Sequence, residues 1–196
     1  MIDDNRTLVI ACGALARELM QVVGTNGLNH IDVEFLPASY HNSPKKIATE
    51  VEKRVVSALT TYREIFIGYA DCGTGGELDK VCEKFGIERL QGAHCYEFFA
   101  GRDKFAEIQE ENIGSFYLTD FLVKHFDRLV IKALWIDKHP ELLNQYFGNY
   151  TQVVYLAQTD DPALEESARI AAKKLGLTLK IQKTGYGDLE TEMISI

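Results

Sequence analysis

No two of the four cysteines form a C-x-x-C pair; they stand singly at positions 12, 72, 82 and 95. Spacing alone therefore identifies no zinc or dithiol motif. Apolar runs are short too, none near the roughly 20 residues a membrane helix needs, so no membrane partner is expected. A basic leader is missing: MIDDNRTLVIACG sets acidic residues before a short apolar run. That is unlike a secretory signal, and a cytoplasmic location is the expectation. Basic residues are outnumbered, 21 Lys and Arg against 29 Asp and Glu, for a net charge of -8. Non-specific nucleic-acid binding needs the opposite balance to displace counterions, so no nucleic-acid partner is expected. G-x-S-x-G, G-x-G-x-x-G and the P-loop pattern are all absent, which removes the ordinary hydrolase and nucleotide signatures.

What is present is an alternation of strands and helices. With 196 residues, 46% of them hydrophobic, the chain can bury one substantial core, and a single domain over 1–196 is expected. Thr7 to Ala11 is an apolar run of strand length, and Leu15, Leu19, Val22 and Val23 follow at helical spacing. Ile31 to Leu36 reads as the second strand, stopped by Pro37. A helix over Pro44 to Thr60 has Ser43 as its cap and Ile47, Val51, Val55 and Leu59 as its stripe. Glu64 to Tyr69, a helix over Glu77 to Phe85, a Gly86 cap and a weak strand Ile87 to Leu90 complete the first half.

From about 96 to 150 the pattern reads as a mostly helical, aromatic-rich insertion or lid, with Ile131 to Trp135 as an optional strand. Gln152 to Ala157, Pro162 to Leu175 with its Gly176 cap, and Leu177 to Gln182 then restore the alternation. The fold class expected is α/β, a Rossmann-like parallel sheet with helices on both faces.

In such a sheet the strand exits share one edge, where residues distant in sequence can meet. Cys12 and Gly13 follow the first strand, and Ser39, Tyr40, His41 and Asn42 the second. Asp71, Cys72, Gly73, Thr74 and Gly75 follow the third; His94 and Cys95 follow the fourth. Gly185, Tyr186 and Gly187 come after the last strand. Cytoplasmic thiols stay reduced, so these cysteines read as metal-binding, catalytic or buried rather than as disulfides.

Cys12, Cys72 and Cys95 together can hold zinc with an open fourth position, or an iron–sulfur cluster with one iron free of protein ligand. His41 or His94 can close the site. Taken singly, each cysteine reads first as a small buried hydrophobe, and Cys82, amid Leu78, Val81 and Phe85, is read that way. Gly13, Gly73, Thr74, Gly75, Gly185, Tyr186 and Gly187 are the expected cofactor-contacting backbone.

The segments ACGAL, YADCGTGGELD, GAHCYEFFAG, FYLTDFL, HPELLNQYFGNYTQVVYLAQ and TGYGDLE together resemble the domain-of-unknown-function family 1638, over nearly the whole chain. That resemblance implies a setting in one-carbon or methylamine metabolism, beside corrinoid-dependent methyl transfer. It brings no established catalytic residues. The expectation is a metal- or cluster-binding protein of methyl-group metabolism, a methyltransferase-type enzyme or accessory factor, with a small-molecule substrate or a corrinoid protein as partner. The alternatives are a non-catalytic module that delivers a metal or cofactor, and a metal-free enzyme using Cys95 as nucleophile with His94 or His41 as base.

Overall fold

Two separate parallel sheets, not one, take up the strands. The computed structural model describes residues 3–196, with side chains from Arg6 onward. They divide into two compact units: the chain up to Phe98 together with Asp188–Ile196, and Phe99–Gly187.

The first unit contains β1 (Asp3–Cys12), α1 (Ala16–Thr25), β2 (Ile31–Leu36), α2 (Lys45–Ala58), β3 (Tyr62–Gly68), α3 (Glu77–Phe85) and the two-residue β4 (Glu88–Arg89). Its strand order is β2-β1-β3-β4, all parallel. Leu8 and Ile10 of β1, with Ile65 and Ile67 of β3, pack on Ile47, Val51 and Val55 of α2 and Leu78 and Val81 of α3. The four-residue spacing of the α2 stripe keeps one helix face on the sheet. Cys82 is buried in this core, as its sequence context predicts. Ser43 departs from expectation, since the start of α2 has no side-chain cap.

Val9 and Ala11 point to the other face, because side chains alternate along a strand. There β1 and β3 approach too closely for a side chain on Gly68: a Cβ would stand 2.7 Å from that of Ala11 and 3.1 Å from its Cα. Gly68→Val should therefore destabilise the protein by about 1–3 kcal/mol, the usual range for overpacking. A lower urea midpoint with an unchanged slope is the expected reading.

The order β2-β1-β3 also fixes where a ligand can enter. The chain leaves β1 towards β2 on one side and returns to β3 on the other, so a crevice opens beyond the β1 and β3 exits. After the second unit the chain returns as α9 (Asp188–Ser195), a helix the sequence reading does not anticipate. Its Leu189 and Met193 are buried, and Glu190 accepts a 3.1 Å hydrogen bond from the Asn26 amide at the end of α1.

The second unit receives the chain through α4 (Cys95–Ala100) and continues with α5 (Arg102–Glu111), β5 (Ser115–Thr119) and α6 (Asp120–Lys124). A π-helix (Asp127–Lys132) comes next, then α7 (Leu142–Phe147), β6 (Gln152–Ala157), α8 (Pro162–Leu175) and β7 (Thr178–Lys183). Its sheet is β5-β6-β7, parallel throughout. The expected helical insertion thus contains a strand, while Ile131 to Trp135 is not one: the Ile136 amide bonds back to the Ile131 carbonyl. Most of the aromatics here are core. Phe126 and Phe147 are buried, and Phe116 meets Phe147 edge-on at 5.1 Å. Asp161 caps α8 by accepting the Ala163 amide at 2.9 Å, Pro162 opens the helix, and Gly176 closes it at φ 71°. No helix of the described residues is long and apolar enough to cross a membrane.

Candidate metal centre

Cys12, Cys72 and Cys95, each carried by a different strand exit of the first unit, line one cavity of about 40 Å³. His41 and Tyr69 share its wall with aliphatic side chains and Phe98. Hollows of 410 and 420 Å³ occur elsewhere, and cysteine lines neither. Chemistry rather than size marks this one.

Local structure explains how each sulfur arrives. The Cys12 sulfur caps the turn Gly13–Leu15, accepting the Ala14 amide at 3.4 Å. Gly13 is needed there, since a Cβ would stand 2.9 Å from the Leu36 carbonyl oxygen of β2. Cys72 sits at φ 50°, a left-handed conformation uncommon for a residue with a side chain. Such strain gathers at functional sites, where the surroundings hold it in place. Two amides lace its loop to the next exit: Asp71 N–H donates to the Gly92 carbonyl at 3.0 Å and Cys72 N–H to the Ala93 carbonyl at 2.8 Å. The Glu97 carboxylate, accepting the Ala93 amide at 2.9 Å, steadies the segment that leads into Cys95.

The thiols are held in their neutral form. Burial raises Cys12 against the pull of the Ala14 amide. Burial and then the neighbouring Cys12 push Cys72 up to about 12. Burial, followed by charge at Cys72 and Cys12, takes Cys95 well above the usual thiol range. Tyr69 is also raised, by burial and then by Cys12. Its hydroxyl is buried with no hydrogen-bond partner of good geometry among the described residues, the Cys12 sulfur being the neighbour whose charge acts on it most. A buried hydroxyl of this kind costs stability until something pairs with it.

The donor set fits a soft metal: three thiols and an imidazole around one hollow, with a hydroxyl lacking a partner. As they stand, no group of three or more His, Cys, Asp or Glu side chains among the described residues is arranged to hold a metal ion. His41 lies at the cavity, kept below the ordinary imidazole range by desolvation and then by His94. His94 does not line the cavity; it is exposed, with its ring 5.3 Å from that of Tyr96.

The glycine loop serves a purpose other than cradling an anion. The Asp71 carboxylate accepts the amides of Gly73 at 3.2 Å, Gly75 at 3.2 Å and Gly76 at 2.9 Å, and the Thr74 hydroxyl at 2.6 Å. Those donors are used within the loop, so Gly73, Thr74 and Gly75 shape the Cys72 turn. Desolvation draws the Asp71 carboxyl upward, but the Thr74 hydroxyl and the three amides together hold it below the ordinary carboxylate range. Gly185, Tyr186 and Gly187 belong to the second unit and do not line this cavity.

Two residues escape the sequence reading. Tyr69 is hidden as the last apolar residue of EIFIGY. Glu18 leaves a clearer trace: Leu15, Glu18, Leu19 and Val22 share one helix face, so the carboxylate lies on the buried stripe. It is 3% exposed, and its charge reaches Cys95.

Residues 35–193 match the family described as "Protein of unknown function (DUF1638)". The match takes in His41, Cys72 and Cys95 and begins after Cys12 and Glu18. No curated protein and no solved structure matches the chain.

Proposed function

As the chain belongs to the DUF1638 family, we propose that it is a metal-binding protein of methyl-group metabolism, with Cys12, Cys72 and Cys95 as the metal ligands. The single observation that carries this reading is the meeting of three thiols, from three separate strand exits, in one cavity. A space of about 40 Å³ suits one ion with a small ligand, since a water needs roughly 10–15 Å³. That size favours zinc over an iron–sulfur cluster. Zinc bound by three thiolates keeps an open position and would hold a substrate thiol as its thiolate, the nucleophilic form. His41, on the wall of the same cavity, would close that position when no substrate is present, and the Tyr69 hydroxyl would donate to the incoming sulfur. A methylated corrinoid on a partner protein is the methyl donor that the family resemblance favours.

The raised thiols weigh against a metal-free cysteine nucleophile. Such enzymes lower the pKa of their reactive thiol with nearby positive charge, whereas burial and neighbouring sulfurs raise Cys95.

Purification without oxygen, followed by absorbance and by zinc and iron determination, tests the proposal. About one zinc per chain is expected, lost from the Cys12→Ser, Cys72→Ser, Cys95→Ser triple variant and kept by Cys82→Ser. Brown protein containing iron and sulfide would replace zinc with a cluster on the same ligands. Metal-free but folded protein from metal-replete medium, or equal metal loss from Cys82→Ser, would overturn it.

A further inference from the structure

The second unit has a hollow of its own, 410 Å³ in volume, between α8 and the stretch formed by α6 and the π-helix. That is the size of a small-molecule site. Lys124, Arg128, Lys132 and Lys174 line it, with Asp127 the one carboxylate among the lining residues. Asp127 pairs with Lys174 at 2.6 Å. The side chains of Lys124, Arg128 and Lys132 enter no ion pair among the described residues. Three uncompensated cations around one hollow stand out on a chain whose net charge is -8.

Lys124, Lys132 and Lys174 each occupy the last turn of a helix, where a cation is favoured. Helix electrostatics explains each of them singly. It explains neither Arg128 nor the gathering of all four around one hollow. The π-helix that carries Arg128 and Lys132 is a rare conformation, frequent at functional sites. Ile170, half exposed, and buried Phe126 and Ala171 supply an apolar wall beside the cations.

We propose that this groove binds a phosphorylated organic molecule. Arg128 would take phosphate oxygens in a two-pronged hydrogen bond, Lys124 and Lys132 would add charge, and Ile170 would meet the organic part. A concave space of this volume favours a small molecule over an acidic protein segment, which would need a longer track.

Calorimetric titration of the full-length protein with inorganic pyrophosphate and with ADP is the test. Saturable binding at one site is expected, stronger for ADP because of its organic part and weakened by added salt. The double variant Arg128→Ser, Lys132→Ser, checked for folding by circular dichroism, should lose roughly tenfold or more in affinity. The triple cysteine variant should bind both probes as the parent does, which separates this groove from capture of pyrophosphate by a metal at the thiols. No saturable binding of either probe at millimolar concentration would overturn the proposal. So would undiminished binding by the double variant, or binding of an acidic peptide in place of both probes.

Discussion

Zinc affinity should rise at least tenfold per pH unit between about pH 6 and pH 8, when measured against a chelator of known proton competition. The thiols must lose their protons to bind, and each is held above its ordinary pKa, Cys72 at about 12. Up to three protons leave for each metal bound, so the logarithm of the affinity climbs with a slope approaching three. A flat profile would remove the thiols from the ligand set.

The metal-free protein should respond to pH in the opposite sense. Its folded thiols keep protons that the unfolded chain releases above the ordinary thiol value of 9.0. The stability that comes from burying neutral thiols is therefore complete below about pH 9 and is lost as pH rises towards the folded values. The slope is up to about 1.4 kcal/mol per pH unit for each thiol. A urea midpoint that falls on going from neutral to alkaline pH, and falls less in the triple serine variant, is the expected result. A midpoint that rises in the metal-free protein would contradict the burial of these sulfurs.

Replacing Asp71 by Ala should cost roughly 3 kcal/mol, because four hydrogen bonds to one carboxylate disappear together. The loss should also show in metal content. Cys72 is next in sequence, and a slackened loop lets it leave its left-handed conformation. Asp71→Asn keeps one acceptor oxygen and should fall between the variant and the parent. The depressed carboxyl adds a pH signature: its stabilisation is full above the unfolded carboxylate pKa and is lost as pH falls through the folded one. Asp71→Ala should therefore be less sensitive to acid than the parent. An unchanged urea midpoint would show that the loop stands without its carboxylate.

Much of the first unit can be read directly from residue pattern. The Gly86 cap and the α2 stripe of Ile47, Val51 and Val55 are local signals that the structure matches, although Leu59, expected in that stripe, is exposed beyond the end of the helix; the Pro162–Gly176 bounds of α8 are matched likewise in the second unit. Cys12 and Cys72 end or follow strands that the pattern marks clearly, whereas Cys95 follows only the weak strand of Glu88 and Arg89. β5 is not legible: SFYLT is five residues long and lies within the stretch that reads as mostly helical. Its identity is set by pairing with β6, a contact the local sequence does not carry. The division into two sheets is hidden likewise, because strand order depends on which edges meet. The glycine loop is ambiguous in sequence for a subtler reason. Glycines after a strand suit an external anion and an internal carboxylate equally, and only the folded turn places Asp71 among those amides. Between the histidines, sequence adjacency to Cys95 favours His94, whereas the turn after β2 brings His41 to the cavity.

The lacing of the Cys72 loop to the segment before Cys95 makes the two loops one mechanical unit. β4 has two residues, so that segment takes its position from its neighbour's amides more than from its own strand. Cys12, by contrast, ends an inner strand paired on both sides. The Cys72 and Cys95 segments are therefore tied to one another, whereas Cys12 is tied to the sheet.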